Sequence, residues 1–440
     1  MSSPIPWYRL ALRRLLQLDR PVEPATDEEV NAAAERNYRW NFTVNLLDGA
    51  SFWFGLSFVS ASTIGPLFIS KLTDSPLPIG MLAVLGQGGW FLPQLFTASA
   101  VERLSRKKPV VVNLGFFLER LPIWLLIPAA LLAPRSADLA LGLFLLGFGM
   151  HVVGAGVVAT AWQDLIARCF PVEKRGRFMG LTTFIGTGMG AIGAGLSAWL
   201  LATFPFPLNF AYTFLIAAVG ITASWVFLAL TREPAQPPRG ERQSRRQFWD
   251  TLRRIMARDH NFRRFLAARI FLALGAMGQG FITVAAVRRW DVADSVVGGF
   301  TAALLVGQTA GTLIFGMLAD RFGHKLSLEL SGMATLLLFA LAWLAPSPAW
   351  YYVVFFLLGL YLGTIIVSGI LVVLEFSAPE RRPTYVGLAN TSVGVAGALA
   401  PLLAIGIAGI SYNLLFAVSA AISFFSVILM RWWVQEPRYV

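Results

Sequence analysis

Five ionisable side chains interrupt stretches that are otherwise apolar: Asp48, Glu119, Arg120, His151 and Arg269. A charge placed in hydrocarbon costs about 2.5 kcal/mol or more even on forgiving insertion scales, so such side chains are expected to bind, relay or pair. Asp48 has Asn41 and Asn45 on the same helical face. That company suits a carboxylate that exchanges a proton once water is withdrawn from it, or a hydrogen-bonded brace, or a partner for Arg269. His151 is a second proton carrier or a satisfied polar group. Glu119 and Arg120 are adjacent, and neighbours on an α-helix point about 100° apart, so each is expected to find its partner elsewhere and to brace the structure.

The elements that must hold these groups are helices in lipid. The chain of 440 residues is 56% hydrophobic and 14% charged, whereas a soluble domain carries about 25% charged residues. Apolar stretches of roughly 20 residues, the length that crosses a bilayer as a helix, recur from Phe42 to Val434 and predict twelve spans, the first running from Phe42 to Ile69. The expected organisation is a short amphipathic segment over residues 1–36, a six-helix bundle over 37–231, a linker over 232–262, a second bundle over 263–434 and a tail over 435–440. Within the linker, Phe248, Trp249, Leu252, Ile255 and Met256 fall at helical spacing and predict a surface helix.

The net charge of +12 does not indicate a nucleic-acid partner, because no soluble basic module is left once the spans are removed. The basic residues follow a topological rule instead. Loops on one face carry Lys71, Arg135, Arg288 and Arg289, while nearly all other Lys and Arg fall on the opposite side. That bias predicts a multi-pass protein of a cell membrane with both termini and the linker in the cytoplasm. The single cysteine, Cys169, excludes an intramolecular disulfide and a cysteine-based metal site. The absence of a Gly-Lys dipeptide excludes a phosphate-binding loop of the ATP-driven kind. A membrane-embedded enzyme would need a catalytic constellation, and His151 is the sole intramembrane histidine available to it. No metal or cofactor is expected, and the chain is expected to act as a monomer.

The two halves repeat each other. Asn37-Tyr38-Arg39 returns as Asn261-Phe262-Arg263. Ala98-x-x-x-Glu102-Arg103-x-Ser105-Arg106-Lys107 returns as Gly316-x-x-x-Asp320-Arg321-x-Gly323-His324-Lys325, and Arg175-x-x-x-x-Gly180-Leu181 as Arg382-x-x-x-x-Gly387-Leu388. Parallel repeats of six helices are an established transporter plan.

The loop from Gly316 to Lys325 resembles the signature loop of the major facilitator superfamily, and Pro171 to Arg177 is similar to that family's loop between the fourth and fifth helices. The first-half copy departs from the pattern at Ala98, Glu102 and Ser105. The resemblance covers the chain from Tyr38 to Val434. It implies an all-α fold of twelve transmembrane helices in two parallel six-helix repeats, in which helices one, four, seven and ten line a cavity while three, six, nine and twelve stand outside. It also implies a conformational latch built from Glu102, Arg103, Arg106, Arg175, Gly316, Asp320, Arg321, Gly323, Lys325 and Arg382. On this reading Gly316 admits a neighbouring helix closely, Asp320 sits at a helix N-terminus, and Arg321 and Lys325 supply counter-charges. The fifth-span glycines Gly186, Gly188, Gly190, Gly193 and Gly195 resemble in part the antiporter signature, a lean towards export, and equally a close-packing pattern.

That arrangement favours Asp48, His151 and Arg269 as coupling candidates and Asn45, Phe52, Gln279, Gln308 and Tyr361 as substrate contacts. A lining of amides and aromatics with few charges suits an amphipathic, aromatic or neutral small solute. The expected function is secondary transport by alternating access, coupled to protons. An uncoupled facilitator, an importer of the same fold and a non-transporting sensor remain alternatives.

Overall fold

A computed structural model describes residues 7–20, 26–234, 253–376 and 382–437, and all its regular elements are helical. Eleven segments are long and apolar enough to cross a membrane: Pro76–Ala98, Val110–Leu132, Ala137–Cys169, Lys174–Thr203, Leu208–Ala229, His260–Trp290, Asp294–Phe322, His324–Leu344, Trp350–Val373, Tyr385–Ala408 and Tyr412–Trp433. They are the second to twelfth spans. The first is more polar and is divided, with Asp27–Ser57 followed after a short break by Ile64–Ser70. The seventh is divided at the corresponding place, where Ala276–Phe281 winds as a 3-10 helix. The expectation of one continuous span from Phe42 to Ile69 is therefore corrected: its helix starts earlier, at Asp27, and is interrupted in the middle. Thr26 caps that helix together with Glu29, a reciprocal pair that fixes its start.

The bundle is packed on missing side chains. A Cβ at Gly311 would lie 2.6 Å from the carbonyl oxygen of Leu360, and one at Gly307 would collide with the carbonyl of Phe356. From the other side, Gly359 and Gly363 meet the backbone of Leu304 and Gln308. The eighth and tenth spans thus cross on two interleaved Gly-x-x-x-Gly pairs, which let backbones approach where no hydrophobic drive exists between helices in lipid. Gly186, Gly190 and Gly193 do the same for the fifth span against Trp53, Phe54 and Ser57 of the first. Gly316 does not: the nearest atom to its would-be Cβ is a Val367 methyl at 3.9 Å, so the close approach expected there is made one to two turns earlier. Large apolar side chains such as Phe96, Ile192, Leu403 and Ile410 stay exposed on the outside, as a lipid-facing surface requires.

Each half closes its ring in the same way. The Asn41 amide donates to the Arg232 carbonyl at 3.0 Å and accepts from the Arg232 N–H at 2.9 Å. Asn261 repeats both bonds with the backbone of Gln435, at 3.0 and 2.8 Å. The true counterpart of Asn261 is therefore Asn41, one helical turn beyond the Asn37 that sequence matching selects. Two Asn-aromatic pairs a turn apart make the sequence ambiguous, and the hydrogen bonds resolve it. The next residue in each clasp is a glutamate followed by proline. The backbone N–H groups of Lys107 and Lys108 donate to the two carboxylate oxygens of Glu233, at 2.7 and 2.9 Å. Lys107 is fully buried, with its ammonium on the Val101 carbonyl and on Asp164. Burial pushes the Lys107 ammonium below its ordinary range, opposed by Asp164, and the Glu233 carboxyl above its own, opposed first by the two backbone N–H groups. In the second half the Glu436 carboxylate rests against Gly323, whose φ of 94° and crowded Cβ position admit only glycine.

The remaining latch residues take local partners. Lys325 pairs with Glu329 at 2.9 Å, Arg321 lies over the Phe322 ring, and Arg175 caps the preceding helix through the Phe170 and Ala167 carbonyls. Arg103 is exposed, and both Arg106 and Asp320 are engaged. The side chains of Glu102 and Arg382 lie outside the described residues, as does the linker from 235 to 252 with Phe248, Trp249 and Leu252 of its expected helix. The short amphipathic helix near the N-terminus is present as Trp7–Leu15, with Leu10 and Leu12 exposed.

Candidate functional site

Two cavities meet at Trp90, which lines both. The first, about 260 Å³, is walled by the second, fourth, seventh, tenth and eleventh spans. Its polar groups are Arg269, Gln279 and Tyr361, joined by Gln87, Gln94, Gln163 and Asn390. The second, about 290 Å³, is walled by Phe52, Trp53, Phe148 and Leu305, with His151 and Gln308 as its main polar members. One room is amide-rich and cationic; the other is aromatic.

Arg269 is the decisive feature of the first room. Its side chain is 6% exposed, and among the described residues Nη1 meets no hydrogen-bond acceptor and no carboxylate pairs with the group. The Gln279 carbonyl oxygen is likewise buried without a donor. Gly369 makes room for the guanidinium, since a Cβ there would stand 3.2 Å from Nη2. A buried, unpaired guanidinium costs several kcal/mol unless an anion completes it. Arg269 presents a planar, two-toothed donor suited to a carboxylate.

Asp48 lies elsewhere. It lines neither cavity, and it accepts a 2.5 Å hydrogen bond from Ser224 of the sixth span. Asn45 is held by Thr231 and the Asn41 carbonyl, also away from the cavities. The partnership between Asp48 and Arg269 does not occur. Glu119 and Arg120, expected to pair elsewhere, pair with each other. The reason is local: Phe116–Arg120 forms a π turn, which rotates less per residue than an α-helix and lets adjacent long side chains converge. Arg120 also lies over the Phe52 ring, 5.1 Å from its centroid. His151 sits beside them, its Nδ1 2.7 Å from the Glu119 carbonyl oxygen.

The structure thus gathers Arg269, Gln279 and Tyr361 at one cavity and Phe52, His151 and Gln308 at the other. No residue of the third, sixth, ninth or twelfth span lines either. Sequence reading missed Gln87, Trp90, Phe91 and Gln94, although their spacing places them on one helical face.

The two halves are bonded to each other on the face away from the termini. There the halves are joined by Thr301 to Thr63 at 2.7 Å, Thr283 to the Ser62 carbonyl at 2.6 Å, Lys71 to Asp294 at 2.7 Å and Arg288 to Asp74 at 3.2 Å. On the terminal face, no hydrogen bond or ion pair between described residues crosses the halves. A Thr63→Cys/Thr301→Cys pair, crosslinked by oxidation, is expected to stop transport and a reductant to restore it. Undiminished transport in the crosslinked protein would show that this junction need not open.

The Major Facilitator Superfamily profile matches residues 47–290 and 270–439. A curated relative, the 3-(3-hydroxy-phenyl)propionate transporter of Escherichia coli strain K12, is 33% identical over 141 residues, which is 31% of this chain and 34% of that transporter. The match therefore spans about a third of the relative. Among solved structures, a D-xylose-proton symporter superposes with a TM-score of 0.66 at 13% identity, covering 90% of this chain and 98% of that one. A bacterial homolog to the human lysosomal transporter Spinster gives 0.62 at 13% identity, covering 89% and 97%. With a matched profile over nearly the whole chain and twelve helices in two repeats, the protein is a transporter rather than an enzyme, and it belongs to the Major Facilitator Superfamily.

Proposed function

We propose that this transporter carries a small aromatic monocarboxylate. The observation that carries the reading is Arg269, a buried guanidinium on a cavity wall with no anion among the described residues to neutralise it. The amides around it complete a carboxylate's remaining lone pairs, and the adjoining room of Phe52, Trp53 and Phe148 takes an aryl group. Trp90, shared by both, is placed to stack on the link between them. The arylpropionate for which the curated relative is named has this two-part character. A neutral solute would leave the Arg269 charge uncompensated, so the anion is preferred to the neutral compound that amides alone suggest. Gly186, Gly190 and Gly193 of the fifth span pack against the first, while a Cβ at Gly188 or Gly195 would meet nothing within 4 Å. Within this reading the termini are cytoplasmic and the described state is closed to the outside.

Uptake of labelled 3-phenylpropionate into proteoliposomes tests the proposal. Saturable uptake, inhibited by other aryl carboxylates and not by 3-phenylpropanol, is expected. Inhibition by the alcohol as strong as by the acid would overturn the role of the carboxylate.

A further inference from the structure

Among the described residues, the charged side chains buried at the depth of the cavities are four: Asp48 and Glu119, Arg120 and Arg269. Counted as ions they cancel. A bound carboxylate adds one negative charge, and a cavity carrying net charge through a bilayer is opposed by several kcal/mol. One proton taken up with the substrate restores neutrality. The question is where it sits.

Asp48, Glu119 and Arg120 line neither cavity, whereas His151 lines the aromatic one. Its ring is already oriented. Nδ1 faces the Glu119 carbonyl oxygen at 2.7 Å, and since a carbonyl only accepts, Nδ1 carries the hydrogen. Nε2 is then the basic nitrogen. The carbonyl is available because the third span leaves α geometry there: a π turn ends at Arg120 and Pro122, which has no N–H, opens a 3-10 turn. Gly154, one turn along from His151, allows the fourth span to press against the Leu118 carbonyl and so brings the ring within reach.

Two neighbouring spans bring charged groups to the ring. From the third span, Glu119 and Arg120 face the ring as a pair, and on the first span Asp48 adds a further negative charge close to Arg120 and Glu119. The second span contributes Trp90, the eighth Leu304 and Gln308, and the tenth Leu362, none of them charged. Behind the ring the cluster therefore sums to one negative charge, which a proton on Nε2 cancels.

We propose that His151 is the proton-binding residue of a one-to-one, electroneutral symport of proton and carboxylate. The step is a protonation alone: Nε2 takes a proton as the carboxylate settles on Arg269, and both leave together on the far side. Transport then runs with an inward proton gradient, as uptake. The inference rests on the carboxylate reading given above, and the two are separable by experiment.

In proteoliposomes with a trapped pH dye, 3-phenylpropionate entry is expected to carry about one proton per molecule, and a potassium-valinomycin potential is expected to leave its rate unchanged. With His151→Gln, proton movement per substrate should fall to near zero, and any residual entry should become sensitive to the potential. Where that variant transports too slowly, calorimetric binding in buffers of different ionisation heat gives the same ratio without turnover: about one proton taken up by the native protein and none by H151Q. Asp48→Asn, which lowers the negative charge behind the ring, should keep the ratio and move the pH dependence to lower pH. A ratio of one retained in H151Q would place the proton elsewhere, and a potential-driven native transporter would overturn electroneutrality. If the native protein binds no 3-phenylpropionate, the carboxylate reading itself fails; if it binds without proton uptake, only the symport does.

Discussion

Arg269→Gln is expected to lower 3-phenylpropionate transport about 100-fold, because removing one member of a buried, hydrogen-bonded charge pair costs about 2–5 kcal/mol and each 1.4 kcal/mol is a decade. Arg269→Lys should recover only part of the loss, since an ammonium keeps the charge and lacks the planar double donor. The loss should be one of binding, seen in KM more than in the turnover of saturated protein. Stability should move the opposite way. In the empty protein Nη1 has no acceptor among the described residues, so the unliganded R269Q protein is expected to be at least as heat-stable as the native one. A variant that loses both transport and thermal stability would mean that Arg269 holds the bundle together rather than the substrate.

Gly359→Val is expected to abolish a monodisperse protein altogether. A side chain there would enter the backbone of Leu304 and Gln308, and the facing Gly307 and Gly311 leave no slack to absorb it. Overpacking a core costs about 1–3 kcal/mol when side chains can yield; here the obstacle is main chain on both helices, so the cost lies at or beyond the upper end. Gly406→Val serves as the contrast, since nothing stands within 4 Å of its would-be Cβ. Size-exclusion profiles after detergent extraction should separate the two. A well-behaved G359V protein would show that the eighth and tenth spans do not need their close crossing.

Much of this was legible in the residues. Arg269, Gln279 and Tyr361 each stand out against the apolar sequence and converge on one cavity; Phe52, His151 and Gln308 converge on the other. What sequence could not supply was the rotation of each helix about its axis. In water the apolar stripe of a helix marks its inner face, but in lipid both faces are apolar and the rotation is set by small residues and polar clasps. Hence Asp48, with Asn41 and Asn45 beside it, was legible as a polar face but not as one turned toward Ser224, Thr231 and Arg232 rather than toward substrate. The Glu119–Arg120 pair was missed for a different reason. Adjacent residues converge only because the third span winds as a π turn at that point, and no spacing rule for α-helices anticipates it. The amides of the second and eleventh spans were overlooked because uncharged polar groups stand out less from an apolar background than Arg269 does.

The most direct measurement is the thermal shift of purified protein with 3-phenylpropionate and with 3-phenylpropanol, which differ in the carboxylate alone. At 100 times its dissociation constant a ligand stabilises by about 2.7 kcal/mol. The native protein should be stabilised by the acid and not by the alcohol, and R269Q should lose the response to the acid. Equal stabilisation by acid and alcohol, or an undiminished response to the acid in R269Q, would contradict the assignment of Arg269 as the substrate's anion site.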